Sequence, residues 1–215
     1  MKSFTIYFFT ALFMVAMSCK PPQPNLDIVY GEVQDHQYIN EYFGFTIDLP
    51  AGWNVLSKEQ IEHLQDMGKG MIAGENKKIK AEIEISDIRT ANLLSIFKYE
   101  LGPTREFNPN LSIVAENIQS SPDIKTGEDY LNHSRKLLEQ SQFKYDSIST
   151  DVKKITISGQ IFGMMFTSVS YMGITIRQEY FSSVINGFSL NILLSYNNDE
   201  QKDELEKILN SLKFQ

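Results

Sequence analysis

Apolar and polar residues alternate strictly between Phe43 and Leu49, where Phe43, Phe45, Ile47 and Leu49 are separated by Gly44, Thr46 and Asp48. That period of two predicts a half-buried strand. Leu49-Pro50-Ala51-Gly52 is expected to close it as a type I turn, with proline second and glycine fourth. The turn delivers the chain's single tryptophan, Trp53, which reads as an aromatic core anchor. An edge strand is expected before it, over Leu26 to Val33.

Beyond Trp53 the period becomes helical. Ser57 and Gln60 form a capping box, Leu56 can staple onto Ile61, and Gly68 or Gly70 is expected to stop the helix. Alternation returns over Ile79, Ala81, Ile83 and Ile85, with Lys80, Glu82, Glu84 and Ser86 between them, which predicts an antiparallel strand. Further strands are expected over Leu93 to Tyr99 and Leu111 to Gln119, separated by the breakers Gly102-Pro103 and Asn108-Pro109-Asn110. Thr126 and Asp129 cap a second helix whose apolar stripe includes Tyr130, Leu131, Ser134, Leu137 and Leu138. From Tyr145 to Tyr196 the pattern is strands and hairpins, with Asn186-Gly187 as a two-residue turn needing positive φ at both places. Asn198 then caps a last helix with Leu205, Ile208, Leu209 and Leu212 on its buried stripe.

Strands, helix, strands, helix, meander and helix, with no internal repeat or linker, predict an α+β fold. A curved antiparallel sheet carries helices packed against it, in one domain over residues 26–215. The chain has 215 residues, 42% hydrophobic and 22% charged, which is ordinary for a globular domain. Its net charge of −7, with no run of Lys or Arg, argues against nucleic acid as a partner.

The first residues have a different character. Lys2 precedes an apolar run from Phe4 to Met17, shorter than the ~20 residues that span a bilayer. It is followed by Ser18 and the only cysteine, Cys19. Residues 1–18 therefore read as a signal peptide. Ala16-Met17-Ser18-Cys19 resembles the lipobox of bacterial lipoproteins, although those usually carry Leu where Ala16 stands and a small residue where Met17 stands. The resemblance implies cleavage after Ser18 and a lipid on Cys19. Ala16-x-Ser18 also suits ordinary signal peptidase, and an uncleaved anchor is a third arrangement. Residues 19–25, with Pro21, Pro22 and Pro24, read as an extended tether. The expected location is the bacterial envelope, at the outer membrane.

The element order, with FGFTIDLPAGW near the start and SLNILLSYNNDEQKDELEKILNSLKF at the end, resembles the PsbP-like superfamily. Its shared pattern is an aromatic-Gly-aromatic strand entering a Pro-x-Gly-Trp turn, and a closing helix ending in Ile/Leu-x-Ser-Leu/Ile-x-Phe. Phe43 to Trp53 and Ile208 to Phe214 fill those places. The resemblance implies an α/β/α sandwich and, for bacterial members, a binding or accessory role in the envelope. Its matching residues are core and turn residues, so it implies no catalytic group.

Candidate chemistry is sparse. His36, His63 and His133 lie far apart with no second histidine at helical spacing, so no metal site is expected. Asp199, Glu200, Asp203, Glu204 and Glu206 could in principle hold calcium, but with Lys202 and Lys207 interleaved they read as the wet face of a helix. There is no nucleophile elbow, phosphate loop or dinucleotide glycine pattern, and no cofactor is expected. Gly159 to Gly163 reads as a strand bulge. Asp35, Glu41 and Asp87 could converge only in space. Phe162, Met164, Met165, Phe166 and Met172 either fill the core or line an opening.

Three functions follow. The first is a monomeric, non-enzymatic, lipid-anchored module with an envelope protein partner. The second is a carrier of a small apolar ligand, and the third is an enzyme.

Overall fold

The computed structural model describes residues 30–215 apart from 74, 76, 78–80, 82, 83, 85–88, 103–105, 142, 143 and 172, with the backbone alone over 67–73. Its elements in chain order begin with strands β1 (Glu32–Gln34), β2 (Gln37–Asn40), β3 (Phe45–Asp48) and β4 (Asn54–Val55). Helix α1 (Lys58–Ala73), strands β5 (Thr90–Phe97) and β6 (Asn110–Asn117) and helix α2 (Gly127–Gln140) follow. The meander comprises β7 (Ser147–Ile148), β8 (Lys153–Ile157), β9 (Gln160–Tyr171), β10 (Ile174–Ile185) and β11 (Phe188–Tyr196). Helix α3 (Asp199–Asn210) and strand β12 (Lys213–Phe214) close the described chain.

The antiparallel α+β architecture read from the hydrophobic pattern is the one observed. Hydrogen bonding divides the strands into a four-stranded sheet, β1-β2-β3-β12, and an eight-stranded sheet, β4-β5-β6-β11-β10-β9-β7, with β8 also on β9. The strand of the opening pattern, β3, lies inside the smaller sheet. It pairs Ile47 with Tyr38 on one side and Phe45 with Phe214 on the other.

Strand parity assigns the two faces of the large sheet. One face carries Leu111, Ile113, Leu190, Ile192, Leu194 and Phe181, and these share a core with Phe45 and Ile47 of the small sheet and Leu205, Ile208 and Leu209 of α3. Phe214 joins the two sheets through rings 6.0 Å from both Phe45 and Phe162. Phe43 and Phe188 meet edge to face at 5.7 Å, as aromatic quadrupoles prefer. The other face carries Met165, Ser182 and Ser189, and α2 packs against it where its first residue, Gly127, approaches Gly163 and Ser182. The buried Ser182 and Ser189 hydroxyls bond each other at 2.8 Å, so these two polar side chains under α2 are satisfied.

Local signals held where side chain and backbone cooperate. Gln60 Oε1 accepts from Ser57 N–H at 2.9 Å, and Thr126 and Asp129 form a reciprocal capping box. Asn198 accepts from Gln201 N–H at 2.9 Å. Asn186 and Gly187 have φ of 52° and 79°, the paired left-handed conformations of a type I′ turn.

Elsewhere the structure differs from the pattern. Ala81 and Glu84 are helical rather than in a strand; Ile79, Ile83 and Ile85 lie outside the described residues. Lys, Ala and Glu are strong helix formers, and here that preference prevails over the alternation. Helix α1 runs through Gly68 and Gly70 to Ala73, since a glycine weakens a helix without obliging it to end. The turn after β3 is shifted by one residue: Trp53 N–H bonds Pro50 C=O at 3.2 Å and Gly52 has φ of 83°, the type II arrangement. Ser158-Gly159 is a two-residue hairpin turn, with φ of 48° and 81°, and not a bulge; the register shift among the strands lies in β5, between Asn92 and Leu94. Of the expected edge strand, Glu32 and Val33 are in β1, and 26–29 lie outside the described residues.

Candidate functional site: the Trp53 cleft

The end of β3, the Pro50 to Trp53 turn and the C-terminal half of α3 enclose an open cleft of about 370 Å³. Its position follows from how the helix end is tied down. Ser211, the C-cap of α3, accepts from Asp48 N–H at 2.9 Å and donates to Ile208 C=O at 2.6 Å. Lys213 then pairs with Thr46 in the sheet. Strand β3 and helix α3 are thereby fixed at one end, and the turn forms the opposite wall.

Leu49 and Ile208 are buried and form the floor, with Pro50 and Trp53 beside them. Trp53 is half-buried: it packs against the core on one side and lines the cleft on the other. Trp53 thus packs against the core, as an aromatic anchor should, and in addition lines the cleft, because it is only partly buried.

Three charged side chains stand around this apolar floor. Glu204 receives both of its bonds from Lys98 Nζ, at 2.8 and 2.7 Å, and this hydrogen-bonded carboxylate raises the lysine pKa. Asp48 Oδ1 accepts from Gln37 Nε2 at 2.6 Å. Lys207 is exposed and has no ion pair among the described residues.

A second polar group pins the other half of α3. Glu179 is 4% exposed, accepts from Tyr196 O–H at 2.8 Å and pairs with Lys202 at 3.0 Å. Burial, and then the Glu179 carboxylate, push the Tyr196 hydroxyl pKa up; the bond to Glu179 raises Lys202. Arg177 bonds Asp199 at 2.8 Å. These ion pairs and the Tyr196 bond hold α3 on the sheet.

The residues singled out from sequence do not converge. Ser18 and Cys19 lie outside the described residues, as do Asp87 and Met172. His36, in the turn between β1 and β2, and His63 and His133, on α1 and α2, are all exposed and on separate elements. Among the described residues no group of three or more His, Cys, Asp or Glu is placed to hold a metal. Asp199, Glu204 and Glu206 are drawn to Arg177, Lys98 and Lys202 respectively, as the wet-face reading requires. Asp35 and Glu41 flank opposite ends of β2. Phe162 and Met165 are fully buried on opposite faces of β9, so those two fill core.

Lys207 and Ser211 were not read as site residues, since only the folded helix places them beside the tryptophan. Glu179 had a signal in its sequence. It shares the inward parity of Phe181 on β10, which marks a charge directed into the core.

No protein-family model matches the chain, and no curated protein sequence does. Among solved structures it is similar to the cyanobacterial PsbP of Synechocystis, at 14% identity and a TM-score of 0.49 over 86% of this chain and 96% of that one. It is also similar to LpqN of Mycobacterium tuberculosis, described as involved in cell envelope biogenesis, at 14% identity and a TM-score of 0.45 over 79% and 82% of the two chains. A third likeness is to a Bacteroides thetaiotaomicron protein, at 11% identity and a TM-score of 0.44 over 85% of this chain and 49% of that one. At these values the likenesses concern backbone arrangement alone.

Proposed function

We propose that this protein is a non-catalytic binding module of the bacterial envelope, and that the Trp53 cleft is where it engages another envelope protein. It is held as a monomer on the outer membrane by a lipid on Cys19, after cleavage at Ser18. The observation that carries the reading is the single tryptophan, half uncovered on an open cleft. Half-buried aromatics in desolvated pockets are where binding energy concentrates. The leader, the lone cysteine and the Pro-rich tether supply the anchoring half of the proposal. The cleft's own groups favour binding over catalysis, because Glu204 is held by Lys98 and Ser211 is spent on the helix cap.

The test is photocrosslinking in intact cells from a reactive residue at exposed Ala51, beside the cleft, with exposed Lys153 on β8 as the control position. One envelope protein captured from position 51 only, and lost with Trp53→Ala, is the expected result. Equal capture from both positions removes the cleft from the proposal. Cys19→Ala is expected to leave the membrane fraction; a variant that stays membrane-bound, with the parent equally lipid-free, removes the anchor.

A smaller cleft of about 210 Å³ favours the carrier as a second reading. Leu56, Ile61, Leu64 and Phe97 line it between α1 and the sheet. A naphthylamine dye that fluoresces in apolar surroundings is expected to bind there and to be lost with Leu64→Asp; equal binding by both forms ends the carrier reading.

A further inference from the structure

Resting on the reading of the Trp53 cleft as the binding site, we infer that its occupant is a partner-protein segment in which an apolar side chain lies close to a carboxylate. The inference comes from an inventory of the cleft's bonding capacity. Ser211 Oγ is engaged twice, as donor to Ile208 C=O at 2.6 Å and acceptor from Asp48 N–H at 2.9 Å. Both Glu204 oxygens are taken by Lys98 Nζ. Asp48 already accepts from Gln37 at 2.6 Å, and its carboxylate can only accept.

The one cation on the cleft without an ion pair among the described residues is Lys207, which carries three donors. Asp48 lines the same cleft, also has no ion pair among the described residues and has only Oδ1 engaged, so a ligand matched to this site brings an anion to Lys207, an N–H donor to Asp48 and an apolar group to Trp53 and Pro50. The placement also gives it a direction. Asp48, on the β3 side, repels a carboxylate, whereas Lys207, on α3, attracts one, so the acidic residue lies toward the helix and the apolar one toward the turn. A volume of about 370 Å³ is at the small end for ligand pockets, which suits a short stretch of side chains rather than a folded surface.

Random peptides displayed on phage, selected against the full-length lipidated protein in detergent micelles, test this. The parent is expected to enrich peptides pairing an apolar residue with Asp or Glu. Because Trp53 is the only tryptophan, the same synthetic peptides are expected to shift its fluorescence on binding. Lys207→Glu, with Lys207→Gln as a check on the helix end where this lysine sits, is expected to replace the acidic preference by Lys or Arg and to weaken the parent's peptides about tenfold. Trp53→Ala, with the milder Trp53→Leu as a check on folding, is expected to abolish enrichment. Peptides that need Trp53 but bind parent and Lys207→Glu equally overturn the acidic occupant while keeping the cleft. Peptides that bind without Trp53, or no enrichment over empty micelles, overturn both.

Discussion

Gly163 in β9 and Gly127 at the start of α2 meet backbone to backbone: a Cβ on Gly163 would lie 2.8 Å from Gly127 C and 2.8 Å from Glu128 N. Helix α2 can lie this close to the sheet only because both positions lack a side chain. Gly163→Ala must push the helix outward, at a cost of about 1–3 kcal/mol typical of overpacking. For a chain of this size each kcal/mol is about 2–4 °C in Tm, readable by circular dichroism. Gly159→Ala is the informative control. Its added Cβ would meet nothing within 4 Å, so its cost comes only from the left-handed φ of 81°.

Alkaline unfolding should be governed by three tyrosines. Tyr130, Tyr180 and Tyr196 have pKa values pushed up from 10.0, in each case first by burial and then by a neighbour: Glu116, Tyr145 and Glu179. A raised folded pKa means the native state keeps its proton while the unfolded chain loses it. Their contribution is therefore complete below pH 10, where the unfolded tyrosines are still neutral, and is lost as pH rises toward the folded values. Lys98 and Lys202, raised by Glu204 and Glu179, act in the same direction. Tyrosinate absorbance for these three should appear together with the loss of circular dichroism, and not before it.

On the acid side, the Thr126 hydroxyl and nearby backbone N–H groups hold Asp129 below its ordinary 3.8. Its contribution is present above that value and is lost as pH falls through the depressed folded pKa. Thr126→Ala should cost about 0.5–2 kcal/mol as a lost cap. Carboxyl NMR titration should then find Asp129 moved back upward.

Tyr196→Phe removes the donor to buried Glu179 at an expected cost of about 1.5–3 kcal/mol. Tyr196→Phe with Glu179→Gln should cost less than the sum of the two single changes, because both break the same bond and Lys202, the other partner of Glu179, keeps Glu206. Urea unfolding of the two singles and the double measures the coupling.

Architecture was legible wherever a side chain repeats with the backbone's own period or bonds its neighbours. Phe188 to Tyr196 announced β11, and Thr126 with Asp129 announced α2, because both signals are complete within a few residues. Ala81 and Glu84 were misread because Ile-x-Ala-x-Ile alternation and helix-forming composition occupy the same residues. Strand β12 gave no periodic signal: two residues cannot show a period, and Phe214, marked only as the last place of the closing pattern, is a strand because Phe45 lies opposite. The cleft was half legible. Trp53 stood out, but Lys207 and Ser211 join it only through the hydrogen bonds that fasten α3 to β3.

The pairing of Phe214 with Phe45 also imposes an order of events on synthesis. A chain made from its N-terminus presents β3 with one edge open until Lys213 and Phe214 arrive, and that is an edge to which any other strand can add. The closing contacts are among the most distant in sequence, which slows folding. A ribosome stalled inside α3 would therefore display β1 to β3 as an unfinished sheet, available to chaperones or to like chains.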